Sequence, residues 1–227
     1  MAEKIVMSLG GSVISGNPVN IPYIEKFSRQ VSKLEASGIG IVVGGGKIAR
    51  DYILPLRKKG VTEFVLDMLG IEITRVNALL VASIMGIKEF SIPGDVETAA
   101  VMLERDGLAV MGGTEPGHTT DAVAMLLAER VSSRIMINIS NVDGVYDRDP
   151  SKNKDAKLLE RLDYDTAMKL SLVPKGGAGP NVFLDPVSIT IARRSGIDVY
   201  VISGRDLTQL ERILEGKTFH GSIISDH

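Results

Sequence analysis

The chain contains no cysteine and no tryptophan. Without thiols it has no disulfide framework, no thiolate metal site and no cysteine nucleophile. Aromatic residues make up only 4% of its 227 residues, so the core has to be assembled from Val, Ile, Leu, Ala and Met. Three histidines leave little material for imidazole-based proton transfer. An excess of charge of one sign is also missing: the formal net charge is -2, which argues against nucleic acid as the main partner. The longest apolar run, near Ala78–Ile87, is too short and too interrupted to span a bilayer. The opening MAEKIVMSLGGS has no long apolar h-region and reads as a strand rather than a signal peptide. A cytoplasmic protein with neither membrane nor nucleic-acid partner is expected.

The common nucleotide motifs are missing as well. A Walker A loop needs G-x-x-x-x-G-K-[ST], but Gly46-Lys47 is followed by Ile48, and Gly216-Lys217-Thr218 has Glu211 where the first glycine belongs. The dinucleotide pattern G-x-G-x-x-G fails after Gly38 and Gly40, because Val43 takes the last place. These gaps set aside a P-loop NTPase and a dinucleotide-dependent dehydrogenase.

What is present is an alternation of strand-like and helix-like segments. Ile5–Leu9 forms a first strand that ends at Gly10-Gly11. Pro22 suits a first helical turn, and Ile24, Phe27, Val31 and Leu34 recur at helical spacing before Gly38. Ile39–Val43 is the near-continuous apolar run of a strand buried on both faces, with a helix expected from about Ile48. A long helix is predicted over Phe64–Met85. Short strands are predicted at Glu89–Ile92 and Leu108–Met111, with a helix opened by Asp95 between them. Thr120–Arg130 reads as a helix and Ile135–Ile139 as a buried strand. Helices after Asp163 and Pro186, a strand at Val199–Ile202, a helix near Leu207–Leu214 and a closing strand at Gly221–Ile224 complete the pattern. The pattern predicts an α/β three-layer sandwich with a mainly parallel central sheet. A softer boundary falls after Asn141, dividing the single domain into lobes of about 1–140 and 141–227.

Four turns are rich in glycine: Gly10-Gly11-Ser12, Gly44-Gly45-Gly46-Lys47, Gly112-Gly113-Thr114 and Gly176-Gly177-Ala178-Gly179. The first three directly follow predicted strands. In a parallel sheet they lie at the carboxyl edge, where ligands bind, and glycine lets backbone N–H groups approach an anion closely. Three such turns at one edge suit two polyanionic ligands placed end to end.

Taken in order, these turns and their neighbours resemble the amino-acid-kinase family over nearly the whole chain. The strings are the strand ending in GGS, VVGGGKIAR (Val42–Arg50), LDMLGIEITRVNA (Leu66–Ala78), GGTEPGHTTD (Gly112–Asp121), NVDGVYDRDP (Asn141–Pro150) and FLDPVSITIARRSGI (Phe183–Ile197). Within the family their spacing is similar to that of uridylate kinases, and GGTEPGHTTD to the archaeal type. The resemblance implies transfer of a phosphoryl group from ATP to UMP, with Mg²⁺ on the ATP phosphates and no dedicated protein metal ligands. It implies UMP contacts from Gly45, Asp67 and the loop Thr114, Glu115, Pro116, Gly117, His118, Thr119 and Thr120. It implies ATP contacts from Gly10, Gly11, Ser12, Gly46, Arg50, Ser140, Asn141, Tyr146 and Asp149. Asp185 resembles a buried aspartate that organises the reaction centre, although an Asp ahead of Pro186 equally suits a helix cap. Tyr146 also reads as an ordinary half-buried tyrosine, Asp143 as a turn residue and His118 as a loop residue.

The implied chemistry needs no base. A nucleotide phosphate with a second pKa of about 6 is largely deprotonated near neutrality, so alignment and charge neutralisation suffice. One position departs from the family pattern: many members carry lysine in the first strand where this chain has Ser8. Lys47 is the expected replacement cation, with Arg50 and Lys175 as alternatives and a solvated surface lysine as the plain reading. Family resemblance also implies a homo-oligomer, a hexamer built from dimers. Competing readings are another small-molecule kinase of the same fold, or a nucleotide-binding storage or sensing relative without turnover. The isopentenyl-phosphate type would bring a histidine in the turn at Gly44–Arg50, and none is there.

Overall fold

The computed structural model describes residues 3–14, 19–87, 91–150, 152–172 and 183–226. Seven strands form one sheet in the order β3-β2-β1-β4-β6-β7-β5. The strands are β1 (Lys4–Leu9), β2 (Gly38–Val43), β3 (Leu108–Met111), β4 (Ile135–Ser140), β5 (Arg161–Leu162), β6 (Asp198–Ser203) and β7 (Ser222–Ile224). β1, β2, β3, β4 and β6 are mutually parallel, and β7 runs antiparallel to β6. The sheet is continuous across residue 141, since β4 and β6 are registered from Ile135↔Asp198 to Ser140↔Ser203.

Side-chain alternation sorts the strand residues between two helical layers. Ile5, Met7 and Leu9 face the layer of α2 (Ile21–Val31), α4 (Glu63–Ile84) and α9 (Gln209–Leu214). Val6 faces the opposite layer of α5 (Val96–Asp106), α6 (Thr120–Arg130), α7 (Tyr164–Ser171) and α8 (Pro186–Ser195). Every residue of β2 is buried, as expected for a strand with partners on both edges and helices on both faces. Two further helices leave the carboxyl edge directly: α1 (Gly11–Ile14) after β1, and α3 (Gly46–Lys58) after β2.

Several boundaries differ from the sequence reading. α2 stops at Val31 rather than continuing through Leu34, and α3 starts two residues early, at Gly46. Of the strand predicted at Glu89–Ile92, Ser91 and Ile92 are not strand, and Glu89 and Phe90 lie outside the described residues. β5 was not foreseen. Two residues carry no period, and this strand exists through its pairing with β7. The glycine turn at 176–179 and Lys175 lie outside the described residues. Among the described residues no helix is long and apolar enough to cross a membrane.

Candidate active site

Because the five parallel strands point the same way, their following turns gather at one edge. Gly10 N–H donates to Ile139 O at 2.8 Å, and Gly44 N–H to Leu9 O at 2.9 Å. These bonds stitch the turns after β1 and β2 to neighbouring strand ends. The two turns touch backbone to backbone: a Cβ on Gly11 would lie 2.2 Å from Gly46 N and 2.5 Å from Gly44 O. Only glycine fits there. Thr120 Oγ1 lies 3.4 Å from where a Cβ on Gly44 would stand, which brings the first turn of α6 to the same place.

Helix α4 grips one side of this edge. Thr74 Oγ1 accepts from Gly113 N–H at 2.7 Å, and Gly112 has no room for a Cβ, which would meet Thr74 Oγ1 at 2.7 Å. Arg75 donates to Gly113 O at 3.3 Å and to Gly94 O at 3.1 Å. Two helical turns earlier, Asp67 Oδ2 accepts from Gly117 N–H at 2.9 Å. Glu115, Gly117, His118 and Thr119 are exposed on that loop, while Thr114, Pro116 and Thr120 are half-buried. His118 lines two outward-facing clefts, of about 520 and 350 Å³, shared with Glu115 and Arg130 on one side and Thr190 and Arg194 on the other. That placement agrees with a loop residue rather than a base.

Two helix starts meet beside the turns. Thr119 caps α6 by accepting from Ala122 N–H at 3.1 Å, and its hydroxyl donates to Asp185 Oδ2 at 2.5 Å. Asp185 in turn caps α8, accepting from Ser188 N–H at 3.0 Å and from Ser188 Oγ at 2.5 Å. The helix-cap reading of Asp185 holds. It is a helix cap, and it also joins the 114–120 loop to the later half of the chain. It is half-buried, not buried as the resemblance implied.

Sequence reasoning missed Asp121. Its Oδ1 accepts from Ser8 Oγ at 2.6 Å and from Asn138 Nδ2 at 2.8 Å. Ser8 and Asn138 are register partners on β1 and β4, both buried and both turned toward α6. Burial pushes the Asp121 carboxyl up to about 6; the Ser8 bond opposes this, the nearby Asp185 charge adds to it, and the Asn138 bond opposes it. The position that departs from the family pattern thus supplies a neutral donor to a carboxylate at the centre of the edge. The available signal was Ser8 itself, buried in the first strand with a polar atom that required a partner.

The remaining expected residues are placed as follows. Lys47 is exposed on the first turn of α3 and forms an ion pair with Asp51. Arg50 is exposed on the same helix, and Ser12 is half-buried in α1. Ser140 O accepts from Gly204 N–H at 2.7 Å, tying the ends of β4 and β6, and Asn141 next to it is exposed. Tyr146 is half-buried and bridged to Leu158. Asp149 is 6% exposed and organises a turn, its carbonyl accepting from Asn153 N–H at 3.0 Å. Among the described residues no three His, Cys, Asp or Glu side chains gather as a metal site.

Residues 3–203 match the amino acid kinase family. The chain belongs to the amino acid kinase family. Among curated relatives of this amino acid kinase, the uridylate kinase of Thermoplasma volcanium is 50% identical over 96% of the chain and 95% of that protein. The uridylate kinase of Thermoplasma acidophilum is 48% identical over 100% of the chain and 98% of that protein. The crystal structure of uridylate kinase from Archaeoglobus fulgidus superposes with a TM-score of 0.85 at 36% identity, covering 99% of this chain and 100% of that one.

Proposed function

We propose that this amino acid kinase transfers the γ-phosphoryl group of ATP to UMP, giving UDP and ADP. The observation that carries the reading is the backbone contact between the turns after β1 and β2, with the loop 114–120 suspended beside them from Asp67 and Asp185. It agrees with near-full-length identity to uridylate kinases. A UMP phosphate oxygen attacks the γ-phosphorus as the bond to the β-phosphate bridging oxygen breaks, and no proton needs to be removed.

In this reading Gly45 meets the UMP phosphate, Asp67 accepts from the ribose hydroxyls and Thr114–Thr120 reads uracil. Gly10, Gly11, Ser12, Gly46, Arg50, Ser140, Asn141, Tyr146 and Asp149 serve ATP. The acceptor half is about 1–140 and the ATP half about 141–227. Asp185 organises the centre, and Lys47 turns from Asp51 toward the transferring group to neutralise its charge. Mg²⁺ would be held chiefly by phosphate oxygens and water, with little help from protein carboxylates. When bound it supplies charge neutralisation. The protein works in the cytoplasm as a homo-oligomer, a hexamer in this reading.

Coupled detection of UDP tests the reaction. UMP should be turned over in strong preference to CMP, AMP and acetylglutamate; equal efficiency with CMP would remove the uracil-reading role of the loop. In the same assay Lys47→Met should lower kcat more than it weakens either nucleotide. A near-normal kcat would pass the role to Arg50 or Lys175.

A further inference from the structure

Asn77 sits in the interior of α4 and is 4% exposed. Asparagine is a poor helix former, and a buried amide without partners is costly, so a buried Asn in mid-helix marks a specific contact. Here its Nδ2 donates to Gly44 O at 2.8 Å and to Gly45 O at 3.3 Å. Both carbonyls can only accept, so the nitrogen end of the amide must face them.

A trans peptide is planar, and its C=O and N–H point in opposite directions. Holding the Gly44 carbonyl therefore aims the Gly45 N–H away from α4, and the Gly45 carbonyl, held by Asn77 together with the Ala49 N–H at 3.3 Å in the first turn of α3, aims the Gly46 N–H. Neither N–H has a hydrogen-bond partner among the described residues. Glycine has the widest backbone freedom of any residue, so a run of three would otherwise spread these donors over many directions. Thr74, one turn earlier on the same helix face, acts in the opposite sense on the Gly112–Gly113 turn, its hydroxyl taking up the Gly113 N–H.

We infer that Asn77 is a positioning residue for phosphate recognition: its one amide group fixes the N–H donors of Gly45 and Gly46 for the nucleotide phosphates, without touching either ligand. The inference rests on the reading above that these two glycines meet phosphate.

The experiment compares UMP and uridine binding in wild type, Asn77→Leu and Asn77→Asp, with thermal melting as the check on folding. Leu removes the donor at similar size, and Asp sets an acceptor against two carbonyls. UMP affinity should fall at least tenfold in Asn77→Leu and further in Asn77→Asp, while uridine affinity stays within about twofold, an amide-to-phosphate contact being the term removed. A folded variant with an unchanged UMP-to-uridine ratio overturns the inference. A second arm uses ¹⁵N-labelled wild type and so is independent of variant folding. The Gly45 amide proton should move downfield on titration with UMP and the Gly46 amide proton on titration with ATP, and uridine should leave both in place. Two unmoved amides overturn the inference. Wild type that neither binds UMP nor forms UDP would instead overturn the proposed function.

Discussion

At the scale of single residues, Asp121 is the group with the most to reveal. Its ordinary value is 3.8, and in the fold it titrates at about 6. Between those values the folded chain keeps a proton that the unfolded chain has released, so stability falls as pH rises through the window and the deficit is constant above it. Asp121→Asn should remove that deficit. Denaturant unfolding should find the variant more stable than wild type at pH 7.5, by at most about 3 kcal/mol, and nearly equal at pH 4. Equal stability at both pH values would mean the carboxyl is ionised at little cost. Ser8→Lys places a cation at the same oxygen and should reverse the slope, since the ionised carboxyl then gains a partner. The sequence made Ser8 conspicuous but not Asp121, because an aspartate in the first turn of a helix already has a sufficient reason to be there. The register Ser8↔Asn138, which aims both donors at it, exists only once β1 and β4 pair.

Among the elements, α4 was the easiest to read and the hardest to interpret. Its extent follows from an uninterrupted helical pattern, and the prediction of Phe64–Met85 falls within a residue of Glu63–Ile84 at each end. Beyond Asp67, which the resemblance singled out, its use was not legible, because Asp67, Thr74, Arg75 and Asn77 each bond to a turn distant in the chain. The buried strands β2 and β4 were legible for a related reason: short runs rich in Ile and Val need no knowledge of their partners. Edges such as β5, and the tail of α2, depend on packing and were not. Asp67→Ala tests the grip of α4 on the loop. Losing both the Gly117 bond and the ribose contact should weaken UMP binding by roughly 1.5–3 kcal/mol with ATP affinity little changed, as read by titration of each nucleotide. Unchanged UMP affinity would return Asp67 to an ordinary surface position of the helix.

For the molecule as a whole, the far side of α3 and α4 is unusually bare. Phe64 and Val76 are 64% and 66% exposed, and Tyr52, Val65, Met68 and Leu79 extend the same apolar character. A second copy of the chain is the occupant we propose for this face, in keeping with closed symmetric assembly. Light scattering at micromolar concentration should give a multiple of 24.4 kDa, and Phe64→Glu with Val76→Glu should reduce it. A wild-type mass of one chain would leave the face without that role. The backbone contact between Gly11 and Gly46 has a different consequence, one of evolvability. In the proposed reading the ATP-side Gly11 and Gly46 and the UMP-side Gly45 share one backbone floor, and a side chain at Gly11 would break that floor before it changed the path of the phosphoryl group. Change of acceptor is then left to the loop at 114–120, which is held by Asp67 of α4 and Asp185 at the start of α8 and can be rewritten while the transfer distance is inherited intact.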